Sequence, residues 1–248
     1  LRLLVQPWLE MKDFALSDRV LPLHVHVNVR ARRLVLRIEN GGKGLRMSVP
    51  PGTNEQQICY FLHQYRGWIE TKLKKFPPPS QDNGMLRHGV KLPYLGQPHL
   101  IVHQQGRGLT CLAFSEQNGK QILVSGEAAH VPRRLRDFLK NQATLIMTPL
   151  ALSYAAKLGR KPKSIRYKDT KSRWGSCSAA GNLSFSWRIM MAPPAVMRYL
   201  VAHEVAHLVE MNHGRQFWQI CTELCPSTQE CRAWLKRNGQ TLHAIDFY

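Results

Sequence analysis

Long hydrophobic runs are missing from this 248-residue sequence. No stretch approaches the ~20 apolar residues that a membrane-spanning helix requires, so no membrane partner is expected. Acids are scarce. Sixteen aspartates and glutamates stand against 35 lysines and arginines, a formal charge of +19. The excess is not a tail, because residues 1–150 hold 21 bases and 10 acids and residues 151–248 hold 14 and 6. Such a spread affects solubility and attraction for anions rather than fold. Internal repeats, long linkers and low-complexity tracts are also lacking, which excludes a disordered chain. What remains, at 44% apolar, suffices for one large core or two small ones.

The opening segment LRLLVQPWLEMKDF has an early proline and acid and no long apolar core, unlike an export signal. Because Leu1 is not methionine, further residues upstream are expected. The six cysteines (59, 111, 177, 221, 225, 231) then read as reduced thiols in a cytoplasmic protein.

Period-two alternation marks strands at 24–29, 33–38 and 45–49, with a turn at Asn40–Gly44 between the last two. Thr53 and Gln56 suit a capping box. Ile58, Phe61, Leu62, Tyr65, Ile69 and Leu73 then make one helical stripe that should end at Pro77-Pro78-Pro79. Residues 80–98 read as loop, and three strands follow at HLIVH, LTCLAF and QILVS. A long helix is expected from near Pro132 to Gly159, kinked or split at Pro149. Strands are expected near 164–168 and 183–188, and Pro193-Pro194 should open another helix. The division expected is a β-rich portion with one long helix over 1–130 and a second domain over 131–248, an α+β chain overall.

That last helix carries His203, Glu204 and His207 as H-E-x-x-H. Residues i and i+4 differ by roughly 40° and 6 Å along a helix, so two imidazoles can converge on one ion. Glu204 is placed to reach a water there instead of the ion. A catalytic zinc takes three protein ligands and keeps one position open. His213 is the nearest third candidate, and Glu223 is the alternative. On an unbroken helix His213 would face away, so its use requires the helix to end between Leu208 and Asn212, with Asn212 the best terminator.

The segment WGSCS has two readings. Trp174, Gly175, Ser176 and Cys177 either shape a substrate cleft with a strand that pairs to peptide backbone, or form a tight turn supporting the helix from behind. Arg173, Arg188 and Tyr199 are candidates for stabilising a developing oxyanion. Cys221, Cys225 and Cys231 lack a fourth partner and fit core packing, and Ser227 with Glu230 should cap a short helix bearing Cys231. His24 and His26 read as structural or exposed. The run 157–173 holds eight bases and one acid. Its density suits phosphate and nonspecific nucleic-acid contact, yet no zinc finger, helix-turn-helix or aromatic platform accompanies it.

HEVAHLVEMNHGRQFW (203–218), preceded by KSRWGSCSAAGNLSFSWRIMMAPPAVMRYLV (171–201), resembles the YgjP-like metallopeptidase family, a relative of the SprT and WLM zinc proteases. VRARRLVLRI, LRMSVPPGT and YRGWIETKL extend the likeness upstream, so it covers roughly residues 24 to 245. The resemblance implies a zincin-like fold and one zinc held by His203, His207 and His213. It implies Glu204 as general base and a peptide or protein as substrate. Gly214 departs from the serine frequent in that family, and glycine is an acceptable helix cap there. The rival expectation is a nucleic-acid-associated protein whose zinc site is structural or catalytically silent.

Overall fold

Alternating apolar residues can bury one face of a strand only if a second layer covers them. In the computed structural model, which describes residues 8–74, 86–170 and 173–248, this happens in two separate compact units, 1–84 and 85–248.

In the first unit, β1 (Trp8–Ala15), β2 (Val20–Val27), β3 (Val35–Ile38) and β4 (Leu45–Val49) form a sheet in the order β1-β2-β4-β3, with β2 and β4 parallel. Leu23, Val25, Leu45, Met47 and Val49 pack on Ile58 and Leu62 of α1 (Glu55–Gln64) and on Ile69 and Leu73 of α2 (Arg66–Leu73). The expected single helix is two, broken at Tyr65, whose ψ of 6° is not helical. Its cap also lies one residue later than expected. Asn54 accepts from the Gln57 amide at 2.9 Å while the Gln57 side chain accepts from the Asn54 amide at 3.0 Å. The Thr53 hydroxyl is committed instead to the Pro50 carbonyl. The expected stop at Pro77–Pro79 lies outside the described residues. His24 and His26 alternate with buried neighbours and lie on the opposite face of the sheet.

The second unit starts with β5 (Lys91–Tyr94), β6 (Gln97–Gln104), β7 (Cys111–Ser115) and β8 (Gly119–Ser125), ordered β5-β6-β8-β7. β5 and the start of β6 fall where loop was expected. Leu92 and Tyr94 are nonetheless buried in the unit's core. Leu95 and Gly96 make the tight turn between β5 and β6 with positive φ (50° and 75°). A Cβ on Gly96 would lie 2.9 Å from Pro193 Cα, so this turn docks against the segment that begins the helix at Pro194.

The expected boundary at 130/131 falls inside this unit, because Ile101, Ile122 and Val124 share one core with Leu135, Leu139 and Met147 of α3 (Val131–Lys157). Pro149 does not split α3. Both Pro149 and Leu145, whose carbonyl loses its partner, lie on the exposed side, where water can satisfy the oxygen.

A second sheet of β9 (Ser164–Lys168), β10 (Gly175–Cys177) and β11 (Asn182–Ser186) has the order β10-β11-β9, with β11 parallel to β9 and antiparallel to β10. After β11 the chain turns through a 3-10 helix, Trp187–Met191, into α4 (Pro194–Ala206), α5 (Arg215–Leu224) and α6 (Thr228–Ala244). α6 is longer than the short helix expected, and Ser227 makes no side-chain cap. Its hydroxyl turns to Cys225 and Cys231. Cys221, Cys225 and Cys231 are buried and unpaired in the core, and all six cysteines are free thiols. No described helix is long and apolar enough to cross a membrane.

Candidate metal centre

Pro194 occupies the first turn of α4, where a missing amide costs nothing. The helix is apolar almost all round and buried against α3, α5 and α6, so the polar side chains near its C-terminus are held in a low-dielectric setting. It stops at Ala206, two residues before the expected range. Asn212 plays no left-handed terminating role, since Leu95 is the only non-glycine with positive φ among the described residues. The stop is made by tightening. The amides of Leu208 and Val209 donate to Val205 and Ala206, three residues back, and the Glu210 amide also donates to Ala206. His207 Nδ1 then donates to the Glu210 carbonyl at 3.0 Å, and the Glu210 carboxylate accepts from the Asn212 amide at 3.0 Å. Together these bonds return the chain toward α4.

His213 arrives on that return. Its Nε2 stands 3.1 Å from Nε2 of His203, and one ring nitrogen from each of His203, His207 and His213 lies within 4.8 Å of the others. Ligands about 2.0–2.1 Å from one tetrahedral ion stand about 3.3 Å apart, so the three imidazoles fit a single divalent ion. The two histidines on the helix side suit it in protonation too. Burial, reinforced by the neighbouring imidazoles, pushes His203 down to about 4. His207 is also lowered, chiefly by burial. Neutral imidazoles have a lone pair to give, and His207, donating through Nδ1, presents its Nε2. Tyr199, one turn before His203, has its hydroxyl 3.5 Å from His203 Nδ1 and is itself buried. Its ring meets that of His203 edge-on, with centroids 5.8 Å apart.

Phe217, on α5, is fully buried beneath all three rings, with centroids 4.9, 4.5 and 4.6 Å from those of His203, His207 and His213. Burial of such a ring contributes about 2–3 kcal/mol, so the cluster rests on a well-anchored apolar floor. Trp218 Nε1 donates to the His213 carbonyl at 3.0 Å and holds the third imidazole from the other side. Reading the residues singly had assigned neither Phe217 nor the Glu210 carbonyl a part. An aromatic pair on the helix just after a candidate ligand was the available signal.

Glu204 is 5% exposed. Burial raises its carboxyl to about 8, against the opposing charge of Arg173. Gly175 on β10 lies directly against it, since a Cβ there would come 2.6 Å from Glu204 Cγ and Cδ. Among the WGSCS residues, therefore, Gly175 belongs beside the carboxylate. Trp174 does not reach it. It stacks on His243, centroid to centroid 4.2 Å, and fills the space over Gly239, so it supports α6 and not the helix that carries His203. Ser176 points to the other face of the sheet, across from Ser184 and Arg166 in register. There a groove of about 380 Å³ is lined by Arg166, Lys168, Arg173, Ser176 and Ser184. The Cys177 thiol is pushed up to about 11 by burial and by the Glu204 charge, which makes it a poor nucleophile.

Arg188 is a correction. It is 6% exposed and paired with Asp169, Nε to Oδ1 at 2.6 Å. It also donates to the carbonyls of Leu242 and Ile245 and through Nη2 to Asp169 Oδ2, so four of its five N–H groups are committed and it clamps the C-terminal segment. Glu223 is exposed on α5, bonded to Gln219 and outside the histidine cluster.

Three convergent imidazoles, with a buried carboxylate next to the first of them in the chain, are the equipment of a metal-dependent hydrolase. Residues 32–238 match the family model described as YgjP-like, metallopeptidase domain, and the chain belongs to that family. Comparisons with curated proteins and with solved structures return no match.

Proposed function

We propose that this protein is a zinc-dependent peptidase of zincin type, with His203, His207 and His213 as ligands and Glu204 as general base. The observation that carries the reading is the convergence of the three imidazoles, with the Glu204 carboxylate, next to His203 on α4, buried against Gly175. A structural zinc site has no use for an acid there, which disfavours the silent-site alternative. Zinc, when bound, supplies Lewis acidity that acidifies a water and polarises the scissile carbonyl.

The chain's own residues do the rest. Glu204 takes the proton of the attacking water and returns it to the leaving amine. Its pKa of about 8 suits it to hold that proton between the two transfers, and a cation on the histidines favours the charged form needed first. His207 and His203 are oriented by the Glu210 carbonyl and the Tyr199 hydroxyl. Arg173 faces Glu204 electrostatically and remains the oxyanion candidate of the three. β10 is an edge strand, bonded on one side to β11, and its other edge can add a peptide strand beside Glu204.

Metal content and casein cleavage, compared between wild type and Glu204→Gln, test this. One zinc in both with cleavage only in wild type is expected. Absence of metal from reconstituted wild type, or equal cleavage by both, overturns it.

A further inference from the structure

The strongest concentration of guanidinium groups lies in the first unit. Alternation along its strands sends Leu23, Val25, Leu45 and Met47 toward α1 and α2. The intervening residues form the other face. In register across β2, β4 and β3, His24 stands beside Arg46 and Arg37, and His26 beside Ser48 and Val35. The connection from β2 to β3 adds Arg30, Arg32 and Arg33 at the rim. All of these except His24 line a groove of about 620 Å³. Arg30, Arg32, Arg33, Arg37 and Arg46 are all exposed. Glu39 pairs with Arg46 at 3.0 Å, and among the described residues no ion pair engages the other four.

Clustered like charges repel, and folding gains nothing by holding four unpaired guanidiniums around one groove. Their chemistry identifies what would relieve the repulsion. Every cation lining this groove apart from the histidine is arginine and none is lysine. The guanidinium fork matches phosphate oxygens bidentately, where lysine offers a point charge. An open sheet face with a cationic groove suits an extended, unpaired strand, whose backbone it can track while arginine and imidazole planes stack on bases. No large apolar side chain projects into the groove to anchor a protein partner, since Val35 and Met47 are half-buried and buried.

We propose that this arginine groove binds single-stranded nucleic acid through its phosphates. The inference is independent of the peptidase reading, and it places the nucleic-acid surface elsewhere than the basic run at 157–173.

Fluorescein-labelled oligouridylate and oligothymidylate of about 20 nucleotides, titrated with the metal-loaded full chain and followed by anisotropy, provide the test. Both strands should bind, more weakly as salt rises from about 50 to 200 mM. Arg32→Glu/Arg33→Glu/Arg37→Glu should lose at least about tenfold in affinity, and its log–log salt slope should shrink by about 2, at roughly 0.7 per phosphate contact. Lys161→Glu/Lys163→Glu, in the other basic segment, should stay within about twofold. Circular dichroism checks each fold, and Arg30→Ala/Arg32→Ala/Arg33→Ala, confined to the connection, serves if the first variant unfolds. Failure of both strands to bind overturns the proposal, as does a folded arginine variant that binds like wild type. Tighter binding of the matching duplex refutes the single-stranded assignment. Equal competition by polyglutamate of the same charge assigns the groove to an acidic protein instead.

Discussion

Gly175 and Glu204 are in direct van der Waals contact, backbone against carboxylate, with no room between them for a methyl group. The contact joins the edge strand β10 to α4, the helix that carries His203. Gly175→Ala must therefore displace either the strand or the carboxylate. Misplacement of a catalytic group by about 1 Å can cost on the order of a hundredfold. Gly175→Ala is expected to lose about 10- to 100-fold in kcat/KM on a peptide substrate while retaining zinc. Full activity would show that Glu204 tolerates the shift.

His213 reaches the cluster from a turn and not from the helix, so its contribution can be removed without disturbing α4. His213→Ala should weaken zinc binding by at least about 100-fold and leave the far-UV spectrum unchanged. Glu223→Ala should change affinity by less than about twofold. Competition with a chelating dye measures both, and reversal of the two effects would exchange the third ligand.

The Arg188–Asp169 pair is nearly buried on the arginine side, and Tyr248 adds a hydrogen bond to Asp169 at 2.8 Å. Burial raises the Asp169 carboxyl, but the Arg188 bonds and charge and the Tyr248 hydroxyl outweigh it and hold the group below its ordinary value. A depressed carboxyl stabilises the fold at pH above its unfolded value near 3.9, and that contribution is lost as pH falls through the folded value. Asp169→Asn strands the Arg188 charge and should cost about 2–4 kcal/mol in urea unfolding at pH 7. The deficit should shrink below about pH 3.9, where the wild-type carboxyl begins to protonate. A constant deficit would place the loss in packing instead.

His243, beneath Trp174, is pushed down to about 4, first by burial and then by the Arg188 charge. The unfolded chain binds a proton near pH 6.5 that the folded one refuses until about 4. Stability is therefore complete above about 6.5 and declines as pH falls toward 4. The loss should be on the order of 1 kcal/mol after solvent screening, because the ring is only partly enclosed. Melting of the metal-free protein between pH 7 and pH 4.5 should show it, and His243→Phe should flatten the dependence. Identical pH profiles for the two proteins would remove His243 from the account.

Helical period alone brings residues i and i+4 to one side, so His203, His207 and the neighbouring Glu204 were legible as a unit before any fold was known. The same period showed that His213 needs a chain reversal. Period-two alternation likewise marked β2, β3 and β4 within a few residues. Local chemistry decided less where two residues offered the same service. Thr53 and Asn54 are both good caps, and the choice fell to Asn54 because the Thr53 hydroxyl bonds to Pro50. Pro149 is a signal for a kink or a split, and the split does not occur because the lost bond lies on the solvent side of a helix packed along its other face.

Only the tertiary structure decided how the chain returns after α4, because the tightened amides that stop the helix are local and it is Phe217 of α5 that packs under all three rings. It alone separated the roles of Trp174 and Gly175, adjacent in sequence and serving different helices. Gly175 carries no local mark, since its backbone is one that any residue adopts, and only the approach of Glu204 excludes a side chain. It alone withdrew Arg188 into the C-terminal clamp. Helix and strand periods are properties of a segment by itself. Chain reversals, close approaches and buried ion pairs belong to the partner that another segment supplies, and a single sequence does not state which segment that is.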